Sequence, residues 1–229
     1  MKVVAIVQAR VGSMRLPNKV IKPIVGRPMI ELLLARLSRS QEIDEIVVAT
    51  SEDAGNLPLV ALVGKLGYRC VQGSENDVLD RFVKAGREAQ ADIAVRITGD
   101  CPLIDAQLVD DCVRKFLSSG VDYLSNAAPP SFPDGLDTEV FRFAALEQAA
   151  GETKRQYDRE HVTPYLRESG KFRLGTLQND IDLSALRWTV DEPADFEVMT
   201  NVFTHFVPEI HFSWRQVLQL QHSQPELFA

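Results

Sequence analysis

The chain has 229 residues, 45% hydrophobic and 25% charged, with a formal net charge of -7, which suits one large soluble α/β domain. No apolar run reaches the roughly 20 residues that span a bilayer, and the N-terminus lacks the apolar core of a secretory signal. The acidic balance argues against bulk nucleic-acid binding, and Cys70, Cys101 and Cys112 are too widely spaced for a disulfide framework or a zinc site, so a cytoplasmic protein is expected.

Val3 to Val7 is a short, almost unbroken apolar run of the kind found in strands buried on both faces. Directly behind it lies VQARVGSMRLPNKV, residues 7–20, with Arg10, Arg15 and Lys19 and no carboxylate. No acid at all occurs before Glu31, although the whole chain is acidic. Pro28 then stands where a helix can begin, and Ile30, Leu33, Leu34 and Leu37 repeat at helical spacing. Ile46 to Thr50 reads as a second buried strand. A helix around Leu59 to Leu66 follows, stopped by Gly67, and Tyr68 to Val71 is a weaker strand. Ser74 to Asp77 resembles a capping box ahead of a helix whose apolar face holds Val78, Phe82 and Val83. Ile93 to Thr98 is the next strand, ending in Gly99-Asp100-Cys101-Pro102, and a helix from about Ala106 to Leu117 comes after it. This alternation predicts a mostly parallel sheet with helices on both faces.

The rhythm changes after Gly120. Asn126 to Asp137 is rich in Pro, Asn and Asp and reads as a long surface loop. Strand-like pieces at Thr138 to Phe143 and Phe172 to Leu177 flank helical stretches near Ala144 to Ala150 and Glu160 to Glu168. A single domain over 1–229 with a small inserted lobe at about 126–180 is expected. LRWTVDEPADFE then predicts a strand ending at Asp191, with Pro193 opening a helix.

Ligands of open α/β sheets sit outside the carboxyl ends of the strands, and three charged features fall there: the basic loop, Asp100 and Asp191. Bases with two carboxylates fit a phosphate chain carrying a divalent metal. Gly12 and Ser13 permit close backbone approach to an anion. No P-loop and no G-x-G-x-x-G occurs, and there is neither a G-x-S-x-G elbow nor an H-E-x-x-H helix. The residues alone therefore stop at a protein that binds a polyphosphate or sugar phosphate, with metal.

VQARVGSMRLPNKV resembles the signature loop of the cytidylyltransferases that activate acidic sugars such as 3-deoxy-manno-octulosonate. ITGDCPLID and WTVDEPADFE are similar to that family's second and third motifs, in the same order, while PDGLDTEVF and REHVTPYL look like the branch named for spore coat polysaccharide biosynthesis. The resemblance implies a nucleotide-diphospho-sugar transferase (Rossmann-like) fold, a homodimer, and CMP transfer from CTP with pyrophosphate release and magnesium. Carried over by position, it places Ala9, Arg10, Gly12, Ser13, Arg15 and Lys19 around the triphosphate, with Arg10, Lys19 and Asp100 central to the chemistry. Asp100 and Asp191 would hold magnesium, Asp77 and Arg81 would lie beside the nucleotide, and Arg159 and His161 of the lobe would face the acceptor. From the residues alone, His161 at a helix start reads first as a cap or packing residue.

The chain departs from the family's usual pattern at Val7-Gln8, Thr98 and Thr189, so the acceptor stays open between a sugar acid and a sugar or polyol phosphate. A glycosyltransferase using a nucleotide sugar, or a non-catalytic nucleotide-binding module, are the competing readings. As a solvent-facing loop base, Lys19 is expected to contribute little to folding. Two crowded carboxylates are expected to repel, so Asp100→Asn should fold as stably as the parent or slightly more so.

Overall fold

The computed structural model describes residues 1–229. Its strands are β1 (Val3–Gln8), β2 (Pro23–Ile24), β3 (Arg27–Pro28), β4 (Glu45–Ser51), β5 (Arg69–Gly73), β6 (Ile93–Thr98), β7 (Tyr123–Ser125), β8 (Glu139–Arg142) and β9 (Leu174–Thr176). Its helices are α1 (Met29–Leu37), α2 (Leu57–Lys65), α3 (Val78–Glu88), α4 (Ala106–Ser119), α5 (Phe143–Glu152), α6 (Gln156–His161), α7 (Pro164–Glu168), α8 (Pro193–Phe206) and α9 (Trp214–Ser223).

Seven strands form one sheet in the order β5-β4-β1-β6-β8-β7-β9. Only β8 runs against its neighbours. β2 and β3 make a separate antiparallel ribbon. The apolar run of β1 is explained by its central place, with helices covering both faces. Side chains of a strand point alternately to its two faces. Val3, Ala5 and Val7 thus join a core with Leu33 of α1, Val109 of α4 and Met199 of α8. Val4 and Ile6 join a second core with Phe82 of α3, Leu146 of α5 and Leu166 of α7. Parallel register places Gln8 beside both Ala49 and Thr98. The basic loop after β1 and Gly99-Asp100 after β6 therefore leave the sheet side by side.

The segment expected as a lobe supplies β8 and β9 to this same sheet and α5, α6 and α7 to one of its faces. Three local expectations are corrected. The helix predicted over 160–168 is two helices, α6 and α7. They are separated at Val162, whose φ is 71°, and Pro164 opens the second, where a proline is tolerated because its missing N–H is not needed. At α3 the N-cap is Asp77, which accepts from the Asp80 amide, and not Ser74. Residues 186–191 form no sheet strand. They run extended across the loop ends, with Trp188 N–H donating to Asp134 O at 2.7 Å and Val190 N–H to Asp100 O at 2.8 Å. Gly135 makes that crossing possible: its φ is +111°, and a Cβ there would lie 2.6 Å from the Trp188 carbonyl carbon.

Candidate active site

The basic loop is a folded structure with its own anchors. Val11 and Leu16 bury their side chains, and the buried Asn56 accepts from the Val11 amide at 2.8 Å. Val11 O in turn accepts from Ser13 at 2.9 Å and Asn18 at 3.1 Å. Asn18 adopts the left-handed conformation, and the single turn Lys19–Ile21 follows it. Apolar anchoring at both ends leaves the polar side chains between them to face a cleft. Gly99 brings the other wall close: its N–H donates to Gln8 O at 2.7 Å, and a Cβ there would meet Gln8 O and Ala9 Cβ at 2.8 Å.

Lys19 turns inward and is only 8% exposed. Its Nζ donates to Val190 O at 2.6 Å, to Asp191 Oδ1 at 3.1 Å and to Asp100 Oδ2 at 3.4 Å. One ammonium thus joins the ends of three segments distant in sequence. Asp191 also meets Arg15 at 3.1 Å and Arg187 at 3.1 Å, while Arg187 holds Asp195 at 2.9 Å. Burial by itself would raise the Asp191 pKa, but hydrogen bonds from Lys19 and Arg187 and the charge of Arg15 outweigh it and hold it below the ordinary carboxylate value. The carboxylate is fully ionised at neutral pH. Bases and acids are interleaved here, an arrangement able to take up both a phosphate chain and a cation.

A cleft of roughly 410 Å³ opens over this group, lined by Gln8, Arg10, Ser13, Arg15, Lys19 and Asp100 among others. Two smaller cavities adjoin it through shared residues. One, of roughly 200 Å³, reaches Glu75 and Arg81, and the other, of roughly 240 Å³, reaches Asp137, Glu139 and Arg167. His161 lines all three.

This composite cleft belongs to a chain whose residues 4–200 match the family described as cytidylyltransferase. The protein is a member of the cytidylyltransferase family. The chain is 31% identical to the spore coat polysaccharide biosynthesis protein SpsF of Bacillus subtilis, over 96% of this chain and 94% of that one. A solved cytidylyltransferase from Leptospira borgpetersenii superposes with a TM-score of 0.95 at 32% identity, covering 100% of this chain and 97% of its own. CMP:2-keto-3-deoxy-manno-octonic acid synthetase, solved with CTP, shares the fold at a TM-score of 0.71 and 19% identity, covering 90% of this chain and 99% of its own. The expected nucleotide-diphospho-sugar transferase-like fold is thereby shown, and the chain is a nucleotidyltransferase.

Within this cytidylyltransferase the structure brings Ala9, Arg10, Ser13, Arg15, Lys19, Asp100, His161 and Asp191 to the main cleft. Arg10 is paired with Glu75 across the smallest cavity. Arg81 is buried there and donates to Ser74 O at 2.9 Å; burial lowers its pKa, with the nearby Glu75 opposing the shift. Gly12 is not among the residues lining the cleft. Asp77 and Arg159 are engaged within the protein, next to Asn76, Val78 and Glu160 of the cavity that reaches Glu75. They pair with each other at 3.3 Å, Arg159 also donates to Ala150 O at 3.0 Å, and neither lines the three cavities. Asp77 is occupied as a helix cap, so Arg159 ties α6 to the start of α3. Arg159→Ala in the cytidylyltransferase should therefore cost about 0.5–1 kcal/mol of stability, the worth of a partly exposed pair. CTP affinity and acceptor KM should change by less than about threefold, which calorimetry and steady-state kinetics would check.

Sequence reasoning passed over several site residues. Gln8 and Thr98 stood out only as departures from the family's usual pattern, with no role given to their side chains. Arg96, inside β6, pairs with Glu139, and Glu139 also accepts from Tyr123 at 2.6 Å and Thr163 at 2.7 Å. A charged residue inside an apolar strand was the available signal, because a buried charge needs a partner. Arg167 and Asp137 offered no such signal, since both lie in polar stretches.

Proposed function

We propose that this cytidylyltransferase transfers CMP from CTP to an acidic sugar or a sugar or polyol phosphate, with magnesium. The observation that carries the reading is the Lys19 ammonium joined to Asp100 and Asp191 at the floor of a cleft lined by Arg10, Ser13 and Arg15. An acceptor oxygen attacks the α-phosphorus, the bond from that phosphorus to the bridging oxygen breaks, and pyrophosphate leaves with the electron pair. Arg10, Arg15 and Lys19 are placed to neutralise the triphosphate and the leaving group, the main demand of phosphoryl-type transfer.

The donor set fits magnesium. No group of three or more His, Cys, Asp or Glu could hold a metal without help, yet Asp100 and Asp191 both reach one ammonium and so can share one small cation. Magnesium characteristically takes one or two carboxylates and completes its shell with water and substrate phosphates. When bound it would neutralise charge developing on the phosphates.

An anionic acceptor is supported by Arg167. Its Nε is buried without a hydrogen-bond partner, and the side chain lines the cavity beyond Thr98. By contrast Arg142, Arg155 and Arg159 of the same segment are each paired with a carboxylate. Incubation with magnesium and each nucleoside triphosphate, together with pools of acidic sugars and sugar phosphates, tests the reading. Pyrophosphate release with CTP is expected. Preference for another base, or consumption of a nucleotide sugar without pyrophosphate, would overturn it. Arg167→Ala should raise acceptor KM roughly 10- to 100-fold, the loss of one charge-assisted hydrogen bond, with CTP affinity unchanged.

A further inference from the structure

The acceptor-side cavity holds a carboxylate that neither the metal site nor the nucleotide site uses. Asp137 lines it together with Arg96, Thr98, Glu139, Tyr157, His161, Thr163 and Arg167. The backbone on both sides of Asp137 is fixed. Leu136 and Thr138 are fully buried, and the buried Asn126 clamps them, donating from Nδ2 to Leu136 O at 2.9 Å and accepting from the Thr138 amide at 2.7 Å. Gly135, just before, is wedged against Trp188. The carboxylate itself receives no hydrogen bond and no ion pair from the protein, whereas the neighbouring Glu139 is saturated by Arg96, Tyr123 and Thr163. A rigidly held, unengaged acid facing a cavity is poised for a ligand group. The cavity shares Thr98 and His161 with the nucleotide cleft, which Asp100 also lines.

We infer that Asp137 is the general base that takes the proton from an attacking hydroxyl of the acceptor. The inference rests on the cytidylyltransferase reading and sharpens it. A phosphate acceptor attacks through an oxygen that carries no proton, so it has no use for a base here. A sugar acid attacking through a hydroxyl does. The O–H proton passes to the Asp137 carboxylate as the oxygen bonds to the α-phosphorus, the bond to the leaving pyrophosphate breaks, and the Asp137 acid returns its proton to water. Burial, with the negative charges of Asp134, Glu139 and Asp100 adding and Arg96 opposing, pushes the Asp137 pKa up to about 7. His161, Tyr157 and Arg167 face the same cavity from α6 and α7. A carboxylate of raised basicity suits proton abstraction near neutral pH.

The test is a pH–rate profile of the whole enzyme with CTP, magnesium and the best acceptor from the pool, alongside calorimetry with CTP alone. For Asp137→Asn we expect turnover to fall roughly 10²- to 10³-fold. The acid limb of kcat/KM should vanish, CTP affinity should hold, and Asp137→Glu should recover part of the rate. Four results would overturn the inference. An Asp137→Asn enzyme with parental rate and limb is the first. The second is a limb that survives Asp137→Asn but disappears in His161→Gln, which gives the proton to His161. The third is turnover confined to phosphate acceptors. The fourth is lost CTP affinity in Asp137→Asn, which would make the residue structural. Failure of the underlying reading is recognisable separately, as a wild-type enzyme that releases no pyrophosphate with any acceptor, and it removes this inference too.

Discussion

Lys19→Ala is expected to lower turnover by roughly 10²- to 10³-fold, the effect of losing one preorganised charge from a transferring phosphate. It should also lose stability, by roughly 1–3 kcal/mol, the usual cost of leaving partly buried charges unpaired. This reverses the expectation of a solvent-facing loop base. Lys19 is 8% exposed and its ammonium joins two carboxylates and the Val190 carbonyl, so its removal leaves Asp100 and Asp191 confronting each other. The pH dependence has a definite sign. Asp191 has a folded pKa below its ordinary value, so its stabilisation is present at neutral pH and is lost as the pH falls through that lowered pKa. Lys19→Ala should shed part of that acid sensitivity. Urea midpoints at several pH values would show both effects, and a variant with parental turnover would remove Lys19 from the mechanism.

Asp100→Asn should reduce magnesium-supported turnover by at least about 10³-fold, since one of two carboxylates able to share a cation is gone. Its effect on stability should be small, within about 1 kcal/mol. The expected repulsion between Asp100 and Asp191 is offset by the Lys19 ammonium that both contact. The Asp100 contact to Lys19 is the longest of the three, at 3.4 Å. Asp191→Asn gives the contrast, because Asp191 also serves Arg15 and Arg187 and its loss should destabilise the fold. Thermal melts of the two variants, with magnesium titrations of activity, would separate them. Equal destabilisation would mean that Asp100 is a structural residue.

The central strands were legible because their burial on both faces forces unbroken apolar runs: Ile93–Thr98 was bounded correctly from sequence, and Val3–Val7 within one residue. Asp100 and Lys19 could be placed near each other because parallel register aligns strand ends. Residues 186–191 misled for a physical reason. Trp188 and Val190 are spaced as in a strand and both enter the core, but their backbone N–H groups pair with Asp134 and Asp100 in loops, and periodicity does not say what lies opposite. Arg159 looked available because its charge was visible and its partner Asp77, far away in sequence, was not. Tyr123–Ser125 is only three residues long, too short for any pattern to show.

The contacts of Lys19 with Val190 and Asp191 bridge 171 and 172 positions of the 229-residue chain. Synthesis proceeds from the N-terminus, so the nascent protein presents its basic loop and Asp100 long before the residues that complete the cluster. Until then Lys19 has a single acid to bind and the loop has no far wall. A translation product that ends before Asp191 would hold every strand of the sheet and, on the function proposed above, would still lack a residue that turnover requires.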